Sequence, residues 1–290
     1  MNFMTLNIRG IGDSKKIEWI RKLKLTQSID FICIQETRVS DFNNIDIVGC
    51  WGSTNYQCDF VNPTRGSGGI LSIWDPRVFR KSNTFSSRHF IATSGEWVGI
   101  SGAITIVNVY GPQSIVDKRK LWDDLIDLKK GLNGIWVFTG DFNAVRFACE
   151  RFNSSFCHYM ASDFNRFIAV AGLNEFIQGG RKLTYLRDDG LKQSKLDRFL
   201  VCHNFIQVQP LTSVTVLPRD YSDHSPVILK PHKVDFGPPP FRFFNSWLLH
   251  NDFNLVFDKA WGNFHGFGAP DRFLPAKIKF LKNERIGGRK

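Results

Sequence analysis

The 290-residue chain reads as an α/β protein, a two-layer β core flanked by helices. Three observations predict this. Apolar runs of strand length fall into two groups, with helical patterns between some of them. Runs such as Asp30-Phe31-Ile32-Cys33-Ile34 are continuous rather than alternating, the pattern of a strand covered on both faces. The segments between are punctuated by Gly, Asn and Pro, and no fixed-period repeat is present.

Taken in order, Phe3 to Ile8 forms a strand that Asn7 closes before Gly10-Ile11-Gly12. Asp13 or Ser14 then caps a helix with Ile17, Ile20 and Leu23 on its apolar face. The run at Asp30–Ile34 comes next, with Gln35-Glu36-Thr37 at its end. A strand–helix–strand opening places both strand ends on one side of a sheet, which makes Asn7 and Glu36 neighbours. From Ile45 to Val109 the signals are short β segments. They include Ile70–Trp74, then Trp97–Ile100 and Ala103–Val109 joined at Ser101-Gly102. A helix is predicted from about Val116 to Lys130, with Leu121, Leu125 and Leu128 on one face. Ile135 to Thr139 is a buried strand that runs into Gly140-Asp141-Phe142-Asn143. A helix over Ala161–Ala171 turns Phe164, Phe167 and Ile168 inward, and Leu183–Leu186 is short and β-like. Ser194–Leu200 alternates, with Leu196 and Arg198 on one side and Asp197 and Phe199 on the other. Val214–Leu217 and Val227–Leu229 are the last strands. Pro231 and Pro238-Pro239-Pro240 then mark a boundary near residue 232. Residues 1–231 are expected to form one domain, and 232–290 a linker and basic tail, partly helical or disordered.

The totals narrow the function. A core with 27 Phe and 8 Trp is aromatic-rich, and a net charge of +11 favours a polyanionic partner through counterion release. Six cysteines show neither a Cys-x-x-Cys pair nor zinc-type spacing, so a reducing, intracellular setting (nuclear or cytoplasmic) is expected. No basic segment followed by a long apolar stretch opens the chain, and no apolar run approaches the roughly 20 residues that span a bilayer. A monomer without membrane contact is expected.

Polar side chains stand at six element termini: Asn7, Glu36, Tyr110, Asp141 with Asn143, Asp197, and Asp223-His224. Each alone has a plain explanation as a turn residue, a solvated charge or a satisfied core aromatic. Together they complete metal-assisted phosphodiester hydrolysis. A hard cation such as Mg²⁺ takes carboxylate oxygens in an incomplete cage, for which Glu36 is the natural ligand, with Asn7 orienting it or sharing the site. His224 faces the scissile phosphate or handles a proton there, its tautomer fixed by Asp197 or Asp223. Asp141 orients and deprotonates the attacking water. Asn143 and Tyr110 donate to the phosphate oxygens as charge builds.

Leu6-Asn7-Ile8-Arg9-Gly10, Gln35-Glu36-Thr37, Asn108-Val109-Tyr110-Gly111-Pro112, Gly140-Asp141-Phe142-Asn143, Ser194-Lys195-Leu196-Asp197 and Ser222-Asp223-His224-Ser225 resemble the ordered motifs of the endonuclease/exonuclease/phosphatase superfamily over about residues 1 to 230. The Ser-Lys-Leu-Asp and Ser-Asp-His-Ser forms are most similar to the endonuclease domain of LINE-type (non-LTR) retrotransposons, especially plant ones. The segment Asp235–Trp247 resembles the stretch that joins that domain to the reverse transcriptase in plant elements. No reverse-transcriptase segment comes after it here, so the resemblance reads as a truncated or domesticated element, or a fragment.

It implies a four-layered, DNase I-like α/β sandwich, two mixed sheets face to face with helices outside. It also implies a Mg²⁺-dependent DNA-nicking activity (Mn²⁺ as a substitute) that leaves a 3′-hydroxyl, with DNA and element RNA as candidate partners. It assigns Glu36 and Asn7 to the metal with Asp223 close by, Asp141 to water, Asn143 and Tyr110 to phosphate, and pairs Asp197 with His224. Thr184 and Ser222 match positions that hydrogen-bond near the phosphate. Arg9, a candidate DNA contact, stands where abasic-site repair enzymes carry aspartate, so specialised repair is not expected. A phosphoinositide-type phosphoesterase and a catalytically inert nucleic-acid-binding remnant are the alternatives.

Overall fold

In a computed structural model, alternation hidden inside continuous apolar runs builds the first sheet. Strand β1 (Phe3–Asn7) leads through helix α1 (Ser14–Gln27) to β2 (Phe31–Gln35), which lies parallel to it. Phe3, Phe31 and Cys33 point toward a second sheet. Met4, Leu6, Ile32 and Ile34 point the other way, onto Trp19 and Ile20 of α1 and Cys50 and Trp51 of α2 (Ile47–Trp51). Both faces are covered, which is why these strands lack a polar face. Asp13 caps α1, accepting the Lys15 amide at 2.9 Å, a contact worth about 1 kcal/mol. Strands β3 (Gln57–Val61) and β4 (Ile70–Trp74) extend the sheet beyond β2.

The second sheet grows from a meander of β5 (Phe79–Ser87), β6 (Phe90–Trp97) and β7 (Ala103–Tyr110). Here the structure corrects the sequence reading. Phe85–Phe90 is the end of one hairpin, and the strand expected at Trp97–Ile100 ends at Trp97. Thr93, Ser94 and Gly95 hide β6 in the sequence, because polar and glycine residues interrupt its apolar pattern. Helix α3 (Ile115–Gly131) then crosses to β8 (Ile135–Asp141), parallel to β7. After β9 (Arg151–Phe152) come α4 (His158–Val170), β10 (Leu173–Glu175), β11 (Gln178–Gly180), β12 (Tyr185–Leu186), β13 (Gln193–Ser194), β14 (Asp197–Cys202), α5 (His203–Val208), β15 (Thr212–Val216) and β16 (Val227–Pro231).

The two large sheets run β11-β15-β16-β1-β2-β4-β3 and β10-β14-β8-β7-β6-β5, and β12-β13-β9 form a small third sheet. Aromatic rings fill the space between the large sheets: Phe3 meets Trp97 edge-on at 5.9 Å and Phe199 at 6.4 Å. Trp122 of α3 and Phe164 and Phe167 of α4 stack at 5.0 Å and cover the outer face of β8 through Phe138. Helix, sheet, sheet, helix is the four-layered sandwich expected.

The structure describes residues 1–64, 68–231, 251, 253–266 and 269–283. It divides into Met1–Lys233, the sandwich, and Val234–Lys290. Within the latter, α6 (Phe253–Gly262) stacks Phe257 on Trp261 at 5.3 Å, and Lys277 of α7 (Pro270–Asn283) lies 4.2 Å above the Trp261 ring. Of the linker and basic tail expected over 232–290, residues 232–250, 252, 267–268 and 284–290 lie outside the described residues. Among the described residues all six cysteines are free and no helix is long and apolar enough to cross a membrane.

Candidate active site

Parallel pairing sets the site. Asn7 pairs with Gln35 at the ends of β1 and β2, and Tyr110 pairs with Asp141 at the ends of β7 and β8. Antiparallel β14 begins at the same edge, with Asp197 opposite Asp141. The two sheets therefore deliver their terminal side chains to one place. The Asn7 side-chain amide crosses between them and donates to Asp141 Oδ2 at 2.9 Å, joining residues 134 apart in sequence.

Around that bond lies a cleft of about 400 Å³ whose walls include Asn7, Glu36, Tyr110, Asp141, Asn143, Asp223 and His224. His224 Nδ1 meets Asp197 Oδ2 at 2.8 Å, so Asp197 and not Asp223 is its partner. That contact puts the Nδ1 proton toward the carboxylate and turns Nε2 to the cleft, 3.9 Å from Asp141 Oδ2. Burial works against the imidazolium, but the Asp197 and Asp141 carboxylates outweigh it and raise the His224 pKa to about 10. Burial pushes the Asp141 carboxyl up to about 6 against the opposing pull of His224. A buried carboxyl beside an imidazole held by a second carboxylate is an arrangement that can move protons.

Several side chains hold this pair rather than face the cleft. Ser222 Oγ donates to the Asn7 carbonyl at 2.7 Å and accepts the His224 amide at 3.1 Å. Thr184 is buried, and its Oγ1 accepts the amides of Leu196 and Asp197 at 2.9 and 3.0 Å. Both were expected near the phosphate. The structure places Thr184 beneath the cleft and gives the Ser222 hydroxyl to the loop carrying His224. Asp223 and Arg9 do line the cleft, paired with each other at 2.9 Å, and Arg9 also meets Asp188 of the 187–192 hairpin turn.

Strained backbone concentrates here. Arg9, Glu36, Arg38 and Asn143 all have positive φ, from 49° to 57°. Such conformations cost of order 1–3 kcal/mol each and persist where surroundings over-determine them. For Glu36 the surrounding bonds run from the Gly10 amide to its carbonyl at 2.7 Å, and from Thr37 to the Gly69 carbonyl. The result aims the Glu36 carboxylate at the cleft.

The cleft carries oxygen donors of the kind a hard divalent cation takes, although among the described residues Glu36, Asp141 and Asp223 do not bring their ligand atoms within 4.8 Å of one another. Glu36, Asp141 and Asp223 present oxygens to one cleft, with the Asn7 amide beside them. Glu36 Oε1 accepts from Arg38 Nε at 2.9 Å, so one Glu36 oxygen already serves an arginine at the cleft's edge. Ligand atoms of Asp141, Asp197 and His224 also lie within 4.8 Å of one another and could hold a cation. The Asp197–His224 hydrogen bond favours proton chemistry there instead.

The sequence reading missed Gln113, Lys118, Arg151 and Tyr185, which also line the cleft. For Lys118 a signal existed. It falls on the buried line of α3 with Leu121, Trp122 and Leu125, an unusual place for a lysine. Tyr185 reaches the site through the bridge Tyr185–His224, which pairs distant segments.

No curated protein matches the chain. Solved structures do. An AP endonuclease from Leishmania major superimposes with a TM-score of 0.63 at 15% identity, over 80% of this chain and 88% of that one. A 3′ phosphatase from Neisseria bound to product DNA hairpin gives 0.62 at 15%, over 80% and 100%. The endonuclease domain of TRAS1, a telomere-specific non-LTR retrotransposon, gives 0.58 at 12%, over 80% and 98%. At such identities the likeness is one of fold, the DNase I-like sandwich. The endonuclease/exonuclease/phosphatase family profile matches residues 4–224, from β1 through His224, and the chain belongs to that family.

Proposed function

We propose that this protein is a Mg²⁺-dependent endonuclease that nicks one strand of DNA and leaves a 3′-hydroxyl. The observation that carries the reading is the inter-sheet network Asn7–Asp141 beside His224–Asp197 in an open cleft. Asp141, oriented by the Asn7 side chain and the Asn143 amide, takes the proton of the attacking water. The water oxygen bonds to phosphorus, and the P–O3′ bond breaks with its electron pair going to the 3′-oxygen, which takes a proton from solvent water to become the 3′-hydroxyl. The His224 imidazolium, kept charged by Asp197, donates from Nε2 to a non-bridging oxygen as charge builds there. Tyr110 and Asn143 at the cleft wall donate to the same phosphate. A bound Mg²⁺, held by Glu36 with Asn7 and Asp223 near it, would supply charge neutralisation at the phosphate and the leaving oxygen.

DNA as the substrate is supported by the net charge of +11 and by Arg9, Lys16, Arg38 and Arg219 lining an adjoining surface cleft. A non-LTR retrotransposon origin is supported by the Ser194–Asp197 and Ser222–Ser225 motifs together with the likeness to the TRAS1 domain. Supercoiled plasmid with Mg²⁺ tests the reading. Open circles should accumulate with the wild type and not with Asp141→Ala or His224→Ala. Equal inertness of all three with retained DNA binding would overturn it, as would phosphate release from an inositol phosphate without nicking.

A further inference from the structure

Lys118 is buried, and an ammonium out of water costs several kcal/mol unless it is compensated. The compensation lies in the active-site cleft. Its Nζ donates to the main-chain carbonyl of Asn143 at 2.7 Å. That carbonyl belongs to a residue at φ +49°, in the turn directly after the strand carrying Asp141. The same turn is tied by three further bonds. The Asn143 amide donates to Asp141 Oδ1 at 2.9 Å, its Nδ2 donates to the Gly111 carbonyl at 2.8 Å, and its Oδ1 accepts from Gln113 at 2.9 Å. One turn thus sets the orientation of the base and the place of a phosphate donor. Lys118 grips its main chain from α3. Asp141 on β8, Arg151 on β9 and Cys157 ahead of α4 act on the ammonium, and burial brings its pKa down to about 8. A lysine there merely to fill space would be served as well by methionine, which has similar length and no desolvation cost.

We propose that Lys118 is a positioning residue, whose ammonium locks the left-handed Asn143 turn and so aims Asp141 and Asn143 into the cleft. The inference rests on the roles proposed above for those two residues. The test uses the full chain with Lys118→Met and Lys118→Arg, read by amide hydrogen exchange at Asn143 and by steady-state plasmid nicking. Lys118→Met should speed exchange at Asn143 about 10-fold or more. It should lower kcat about 10- to 100-fold, the penalty of a misplaced catalytic group, with KM little changed. Lys118→Arg, which keeps a cationic donor, should restore both. Exchange unchanged in Lys118→Met, nicking at the wild-type rate, or an equal loss in both variants would each overturn the proposal. If the wild type does not nick, the functional reading falls while the exchange measurement still decides the lock. Should Lys118→Met fail to fold, Lys118→Leu, which also lacks a donor, is read by the same two measurements with the same outcomes expected.

Discussion

Replacing Asp197 with asparagine removes one charge and almost no volume, and its effect can be worked from the structure. Asp197 is fully buried; one carboxylate oxygen receives His224 Nδ1 at 2.8 Å and the other, Oδ1, has no partner. The imidazolium is the group that this carboxylate serves. A hydrogen bond to a charged group is worth about 1.5–3 kcal/mol, so Asp197→Asn should lower the His224 pKa by roughly 1–2 units. It starts at about 10 in the wild type, and Asp141 at 3.9 Å keeps it above the ordinary histidine value in the variant. The folded-state pKa lies above the unfolded one. The stabilisation it brings is therefore complete below about pH 6.5 and is lost as pH rises toward 10. In Asp197→Asn that loss should come at lower pH and be smaller. Ring-proton NMR titration reads the pKa directly, and urea unfolding at pH 7 and pH 10 reads the linkage. A ring that titrates at the wild-type pH in the variant would refute the assigned partnership.

Two further expectations concern the same edge of the fold. Arg198, adjacent to Asp197, is buried with both oxygens of Glu150 at 2.9 and 2.6 Å and with Glu175 at 2.7 Å, so Arg198→Met should cost about 3–5 kcal/mol in urea unfolding by stranding the Glu150 carboxylate, while Glu175 keeps Arg146 and Lys195. Burial opposes the Glu175 carboxylate, but Arg198 and Lys195 draw its pKa down to about 2, so its stabilisation is present above about pH 4.5 and lost as pH falls toward 2; in Arg198→Met the acid loss should begin at higher pH, and a variant as acid-resistant as the wild type would contradict the pairing. Gly140, at φ +133°, leaves 2.0 Å between an added Cβ and the Val109 carbonyl, so Gly140→Ala should cost roughly 1–3 kcal/mol or more and depress nicking by displacing Asp141; an unchanged melting temperature and rate would contradict it.

Much of the cleft's polar edge was legible in the chain because strand ends are local events. Asn7, Glu36, Tyr110 and Asp141 each come at the end of an apolar run, and backbone pairing brings such ends together whatever lies between. Strand β6 was not legible, since Thr93, Ser94 and Gly95 break the pattern that marks a strand. Arg198 was seen only as one side of an alternating strand. Its burial depends on Glu150 and Glu175 arriving from other segments.

The sequence by itself determined the sandwich and its polar edge, because a continuous apolar run must be covered on both faces and must end in a turn. Only the tertiary structure decided the division of labour at that edge. It joined Asp197 to His224 at 2.8 Å, the pairing that the motif resemblance implied but the residues alone left open between Asp197 and Asp223, turned Thr184 and Ser222 into supports, and brought Lys118 to the Asn143 carbonyl. Those choices turn on hydrogen-bond distances between residues far apart in the chain, which no local periodicity encodes.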